Sequence, residues 1–506
     1  MELDSPDGLS EEPQTNRRSL LRYAALTGLI AGVAGCSSDE SEVTSGPVSD
    51  EPDPSSTEEP TPTATPEPSV AERVMRRYDN RFDSFVDVTE AGADPDGDAP
   101  IDDVLRDAVA DDTLLYFPGG TYRIETVKLA DAHNFGLVGS REETVTFKPA
   151  VDAQAIDNHF VRFLYMSDLL VEGIELDFTA SGHGGLVQVL AEGDFAVRDV
   201  RTRGAVPKDA IGWMFEVVDD NGAGTVENLA LPDGGHPDGN SVGLYVGRSH
   251  AGEIRFESCH VADFPNNGLY ASTPGADDGG GGQVHVRGGR YANNNIANVR
   301  IGGDGSAVRD VTIVMDEVPP YDPTTLNARG IRIRRGRDHV VENCEIRIGP
   351  DGGDGYGAIV HHAGAGPTTV RDTDVVVDRD EAYAVNVFSA PGVSGGPTFR
   401  NVRITGEASG GAAVFVQNRG GIEFRECVVD QSGTDRNGFI FRNTSDCFVA
   451  DTTIKVDGVP IVETDADIET KNLNVAGLGG DETDISDGVH SGEHSLLETS
   501  RSDTDR

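Results

Sequence analysis

Leu244-Tyr245-Val246, Leu269-Tyr270-Ala271, Val299-Arg300-Ile301 and Ile331-Arg332-Ile333 are copies of one short strand that recurs about every 28 residues. The pattern begins earlier, at Val187-Gln188-Val189 and Phe215-Glu216-Val217. It continues through Ile359-Val360-His361, Val385-Asn386-Val387, Val414-Phe415-Val416 and Phe439-Ile440-Phe441. Side chains alternate across a strand, so the flanking residues of each triplet face one way and the middle residue the other. Repetition at so long a period predicts coils stacked one on the next, a parallel β-solenoid, and not a sheet of hairpins.

A second strand repeat runs between the first ones. It reads Phe195-Ala-Val-Arg-Asp-Val200, Ile254-Arg-Phe-Glu-Ser-Cys259, Val308-Arg-Asp-Val311, Val340-Val-Glu-Asn-Cys344, Val370-Arg-Asp-Thr373, Phe399-Arg-Asn-Val402 and Phe424-Arg-Glu-Cys427. Two or three strands per coil, joined by turns of Gly, Asn and Asp, account for the period. Helical periodicity is confined to the signal segment and to Ile101–Ala110, where Ile101, Val104, Leu105 and Ala108 fall at helical spacing. The fold class is therefore all-β: a solenoid of roughly a dozen coils over residues 81–476, with a short N-terminal capping helix.

The composition agrees. A chain of 506 residues outgrows a single globular core, whereas the core of a solenoid grows with coil number. Sixty-two Gly suit repeated tight turns, and 6% aromatic residues suit a narrow core of Val, Ile and Leu. With 87 Asp and Glu against 41 Lys and Arg, the net charge is −46. Such a surface is solvated and repels nucleic acid. Its Lys-poor acidity resembles that of proteins from salt-loving archaea.

Residues 1–36 read as an export signal. Asn16-Arg17-Arg18-Ser19-Leu20-Leu21 resembles a twin-arginine signal, with Asn16 where Ser or Thr is commoner, and the apolar run Ala24 to Ala34 is too short to span a bilayer. Val33-Ala34-Gly35-Cys36 resembles a lipobox, which implies lipid attachment to Cys36. The expectation is a protein on the outer cell surface, touching the membrane through its lipid only, and monomeric. Residues 37–80 are rich in Ser, Thr, Pro and Glu and read as a disordered tether; residues 477–506 read as a disordered acidic tail. Cys259, Cys344 and Cys427 share one place in the second repeat about three coils apart, beyond disulfide reach, and with Cys447 read as buried thiols.

Phe85-Val-Asp-Val-Thr-Glu-Ala-Gly-Ala-Asp-Pro-Asp-Gly-Asp98 and Leu115-Tyr-Phe-Pro-Gly-Gly-Thr-Tyr-Arg-Ile124 resemble the N-terminal cap of the pectate-lyase-like superfamily. With the repeats, the resemblance covers roughly residues 85 to 475. It implies a right-handed single-stranded β-helix. The superfamily includes lyases, hydrolases, epimerases and non-catalytic spikes, so it implies no one activity. Asp94, Asp96 and Asp98 alternate like calcium ligands, but Ala99 and Leu105 replace the Gly and Glu that such a loop needs, so they read as a turn.

The middle residues, coil by coil, are Gln188, Glu216, Tyr245, Tyr270, Arg300, Arg332, Val360, Asn386, Phe415 and Ile440. In this register Tyr245 and Tyr270 stack, with Arg300, Arg332, Arg334 and His362 beside them. Tyr faces suit pyranose rings and Arg forks suit uronate or sulfate, so these residues and Asn386 form a candidate groove for an anionic polysaccharide. The alternative is that the arginines only neutralise neighbouring acids. For catalysis, Arg300, Arg332 or Arg334 could act on a uronate as in β-helix lyases, which commonly use Ca²⁺, although the Arg-x-Pro-x-x-Arg signature of those enzymes is absent. Asp219 and Asp220 resemble the acid pair of polygalacturonases. His236, with Asp238, Arg248 and His250, could supply acid–base groups. Two classes stay open: a polysaccharide lyase or glycoside hydrolase, and a non-catalytic glycan-binding or surface-organising protein. No cofactor is required by the sequence, and Ca²⁺ is compatible with the lyase reading.

Overall fold

A computed structural model describes residues 67–320, 326–390 and 395–476, with further strands at Thr483–Ile485 and Gly488–His490. The signal with Cys36, the tether through residue 66 and the rest of the tail lie outside the described residues. The described chain is a right-handed parallel β-helix of about 13 coils. One coil shows the plan: Ala297–Ile301 lies in a first sheet, Ala307–Arg309 in a second and Thr312–Met315 in a third. Each strand pairs in parallel with its counterpart one coil away. Arg300, for example, lies opposite Tyr270 on one side and Arg332 on the other.

The polar pair of the second repeat acquires a physical meaning here. Between the second and third sheets the chain must turn sharply; Gly173 and Gly288-Gly289 do so in two coils, and in ten others a non-glycine residue does so with positive φ. These residues are Asp199 (51°), Asn228 (52°), Ser258 (53°), Asp310 (58°), Asn343 (51°), Asp372 (52°), Asn401 (50°), Glu426 (56°), Asp451 (50°) and Asn472 (49°). Asn and Asp tolerate this left-handed region best after Gly, because their short side chains bond locally. They also bond along the stack: Asn228 Nδ2 donates to Asp199 Oδ1 at 2.8 Å, Asn343 to Asp310 at 2.7 Å, Asn401 to Asp372 at 2.7 Å and Asn472 to Asp451 at 2.8 Å.

The flanking residues of the first repeat fill one continuous core, with Val299, Ile301, Ile331 and Ile333 fully buried. Cys259, Cys344, Cys427 and Cys447 are buried free thiols. The first three sit at the predicted three-coil interval and each donates to a carbonyl of the preceding coil, those of Val226, Val308 and Phe399. Burial pushes their pKa up to about 12, 11 and 11. In the native protein these thiols are expected to resist a thiol reagent that labels them at once in denaturant. Rapid labelling without unfolding would contradict this packing.

The ends depart from the sequence expectations. Helix α1, Val70–Tyr78, stands where composition places the end of the tether, so residues 70–80 are an ordered cap. Its capping box joins Ser69 and Glu72, and Val74 packs with Phe82 over Leu114, Tyr116, Val138, Leu170 and Ala196 on the outer side of the second sheet. At about 1.5 Å per residue the helix spans roughly three coils. Glu172 anchors it, accepting from Tyr78 Oη at 2.8 Å and pairing with Arg77 at 3.1 Å and Arg141 at 2.7 Å. The capping helix expected at Ile101–Ala110 is shorter: α2 spans Asp102–Asp107 and inserts Leu105 into the main core. The Asp94 carboxylate accepts from the amides of Asp96, Asp98 and Ala99, which makes the alternating acids a turn. At the other end, Thr483–Ile485 and Gly488–His490 pair antiparallel with the last coil.

Two buried arginines tie the C-terminal coils. Arg436 donates Nε to Gln431 Oε1 at 2.7 Å, Nη1 to the Gly410 carbonyl at 2.8 Å and Nη2 to the Ala382 carbonyl at 2.6 Å. Arg419 reaches the carbonyls of Ala365 at 2.5 Å, Gly395 at 3.4 Å and His362 at 3.5 Å. Each therefore spans partners one and two coils back.

Candidate functional site

The outward row of the first sheet is almost the one read from sequence. From Gln188 it runs through Met214, Tyr245, Tyr270, Arg300, Arg332, Val360, Asn386, Phe415 and Ile440. The correction is at the second position. Met214, not Glu216, follows Gln188, and Glu216 pairs with Leu190 in the neighbouring row. Strand Ile211–Val217 is long enough that Trp213-Met214-Phe215 and Phe215-Glu216-Val217 both read as apolar, x, apolar. A slip of two residues keeps every side chain on its face, so alternation cannot detect it.

Tyr245, Tyr270, Arg300, Arg332, Arg334, His362 and Asn386 do converge on one face. The two tyrosine rings meet edge to face, 5.3 Å apart at 82°, and do not stack as expected. The Arg300 guanidinium lies 4.1 Å above the Tyr270 ring, and its Nε donates to Ser272 Oγ at 2.7 Å. Arg334 Nη1 donates to His362 Nδ1 at 2.9 Å. Arginine has no acceptor, so this bond requires the neutral imidazole. Burial and the charges of Arg334, Arg332, Arg329 and Arg300 depress the His362 pKa to about 2. Four arginines therefore gather around His362 in a chain of net charge −46. All four are buried, their exposure 9% or less. Asn386 is more structural than expected, donating Nδ2 to the Tyr356 carbonyl at 3.0 Å.

Asp219, Asp220 and His236 are not brought to this cluster. Asp219 and Asp220 sit in an exposed turn beyond the end of Ile211–Val217, where both carboxylates hold Asn221. That bonding lowers the Asp219 pKa, the reverse of what a proton donor needs. His236 lies on the opposite rim, before Val242–Val246, and its Nδ1 accepts from the Asp238 amide at 3.2 Å. A five-residue strand separates the two rims by about 16 Å. His250 is buried against the Val217 backbone and the Gln283 carbonyl, and Arg248 pairs with Asp278.

The structure adds residues that the sequence reading missed. Glu216 is buried at the edge of the face, its carboxyl accepting from the Ser249 amide at 3.0 Å. Desolvation raises its pKa. Its side chain crosses Gly247 so closely that a Cβ there would stand 2.2 Å from Glu216 Cδ. Arg329 lies 4.6 Å above Tyr356, and Phe388 packs against Tyr356 at 4.9 Å and His362 at 5.3 Å. The sequence reading had Glu216 on this face in the middle row but gave it no role, and the structure moves it to the neighbouring row opposite Leu190. Among the described residues no group of three His, Cys, Asp or Glu is arranged to hold a metal ion.

No protein-family model matches the sequence, and no curated protein matches it. Among solved structures it is similar to the catalytic unit of an α-1,3-glucanase from Streptomyces thermodiastaticus, at 16% identity and TM-score 0.40, over 75% of this chain and 68% of that one. It is similar to the A-module of a mannuronan C-5 epimerase from Azotobacter vinelandii at 13% identity and TM-score 0.42, over 64% and 96%. A tailspike protein of an E. coli bacteriophage matches at 10% identity and TM-score 0.45, over 79% and 77%. Likenesses of this size assign no chemistry to this chain.

Proposed function

We propose that the first-sheet face binds an acidic polysaccharide and that the protein acts on it as a cell-surface enzyme, a polysaccharide lyase or glycoside hydrolase anchored through Cys36 after twin-arginine export. The observation that carries the reading is that Arg300, Arg332 and Arg334 stand together on the outward face beside Tyr270 and His362. Arginine forks pair carboxylate or sulfate oxygens, and tyrosine rings carry sugar faces. Glu216, buried at the edge of the face where desolvation raises its pKa, is placed to give a proton to a glycosidic oxygen. The second reading, a non-catalytic glycan-binding or surface-organising protein, draws support from the distance of Asp219, Asp220 and His236 from the arginines.

Purified protein is to be assayed on uronate polymers in high salt, with and without Ca²⁺. Ultraviolet absorbance of an unsaturated uronate indicates elimination, new reducing ends without it indicate hydrolysis, and binding with neither indicates the second reading. Arg332→Ala is expected to weaken binding of an acidic oligosaccharide by about 1.5–3 kcal/mol, the size of a lost charge-assisted contact. Tyr270→Ala should cost less and should affect neutral and charged ligands alike. If both leave binding and turnover unchanged, the arginines serve only to neutralise the surface.

A further inference from the structure

We infer that the N-terminal end of the first sheet carries a second, separate site, where Lys128 and Arg162 take the carboxylate or sulfate of one acidic sugar and Leu164 and Tyr165 take the face of its ring. The inference borrows its ligand class from the glycan reading of the arginine face but uses none of that face's residues.

The outward row begins before Gln188. Lys128 lies opposite Arg162, and Arg162 opposite Gln188. Met214, Tyr245 and Tyr270 then follow before Arg300 is reached, so roughly 24 Å of helix axis separates Arg162 from the arginine face. Lys128 is exposed and Arg162 half-buried. Other arginines of the N-terminal coils have acids to hold: Arg141 pairs with Glu172 at 2.7 Å and Arg203 with Glu175 at 2.9 Å. Lys128 and Arg162 make no ion pair and no side-chain hydrogen bond among the described residues, and Arg162 Nε is buried without a partner. Two adjacent cations left without an acid are an exception in a chain of net charge −46, and they attract an anion. A guanidinium fork beside an ammonium suits the oxygens of one carboxylate or sulfate. Exposed Asp131 and Glu192 stand where the strands of these coils end, which disfavours a second charged unit.

The ring comes from a strained turn. Leaving the first sheet, the chain passes through the left-handed region with Asp131 at φ 60° in one coil and Tyr165 at φ 57° in the next. Ala130 and Leu164, the residues before them, are paired. Tyr165 is an extra residue between Leu164 and Met166, which lie opposite the consecutive Leu190 and Ala191. A short Asp tolerates this conformation, whereas a bulky aromatic side chain adopts it at a cost. Burial does not compensate, since Tyr165 is 47% exposed. The turn thus calls for a left-handed residue and not for a ring. Beside half-buried Leu164, the exposed ring offers a flat apolar surface of the kind that carries the C–H face of a pyranose.

The test uses three probes at one fixed salt concentration, a methyl uronoside, the matching neutral methyl hexoside and acetate, each titrated by ligand-observed NMR into full-length Arg332→Ala protein. The uronoside is expected to bind at least about tenfold more tightly than either of the others. In that background Lys128→Gln with Arg162→Gln should remove about tenfold of its affinity. Tyr165→Asn should remove about fivefold, and Tyr165→Phe, which keeps the ring, should retain it. Arg162→Gln abandons no partner and Tyr165→Asn relieves the turn, so neither should lower the melting temperature. A lower melting temperature in Tyr165→Asn would mean that the ring serves packing, and would overturn its assignment. If the paired glutamines leave the affinity unchanged, or if acetate binds as tightly as the uronoside, the inference is overturned. If Arg332→Ala alone abolishes uronoside binding, the separate site falls and the arginine-face reading stands. If Arg332→Ala leaves binding of acidic oligosaccharides unchanged while the paired glutamines abolish it, the arginine-face reading falls and this site stands.

Discussion

Arg436→Met is expected to destabilise the C-terminal coils by about 3–5 kcal/mol. Methionine matches the length of the arginine stem but supplies no donor. The carbonyls of Ala382 and Gly410 and the amide oxygen of Gln431 would lose the bonds that Arg436 makes to them. Each buried acceptor so abandoned costs about 1–3 kcal/mol, less what relaxation recovers. Arg436→Lys should recover little, since one ammonium cannot reproduce a planar fork. Urea unfolding followed by circular dichroism reads the effect. A loss below about 1 kcal/mol in Arg436→Met would mean that the three acceptors find other donors.

Glu216→Gln is expected to lower turnover by about 100-fold or more while leaving oligosaccharide binding nearly intact, as removal of a general acid does. The amide fills the same space beside Gly247 but cannot release a proton. The pH dependence follows from the direction of the shift. Burial raises the Glu216 pKa above its ordinary 4.5, so the protonated, active form persists to higher pH, and the rate should fall as pH climbs through the raised value. Stability moves in the same sense. The folded state holds this proton more tightly than the unfolded chain, so stability declines between the ordinary and raised values, and Glu216→Gln should flatten that decline. Unchanged turnover in Glu216→Gln would remove this residue from the chemistry and favour the binding-only reading.

The coil, its direction of stacking and nearly all of its outward row were legible because alternation and a long period are properties of the chain alone. Arg300 opposite Arg332 needed nothing more. Two kinds of feature were not legible. The first is register within a long alternating strand, where Met214 and Glu216 are equally good candidates for one position. The second is the destination of polar side chains off the strands. Asp219, Asp220 and His236 have the residue types of catalysis, yet each is used by its own turn. Helix α1 lay between these cases. Its composition hid it in the tether, whereas Ser69-Val70-Ala71-Glu72, a Ser followed three residues later by Glu, was a readable start signal.

The reversed strands at the C-terminal end bear on what happens when two molecules meet. A parallel coil leaves a row of unsatisfied amides and carbonyls at each end, and a second copy could add its first coil there and continue the ladder indefinitely. Thr483–Ile485 and Gly488–His490 run the opposite way to the coils they cover. They take up the pairing groups of Ile468–Thr470 and Leu473–Val475, so a newcomer finds less of the coil edge open to continue the parallel ladder. Deleting residues 477–506 is therefore expected to convert a dispersed protein into one that elongates with concentration, a change that light scattering would register.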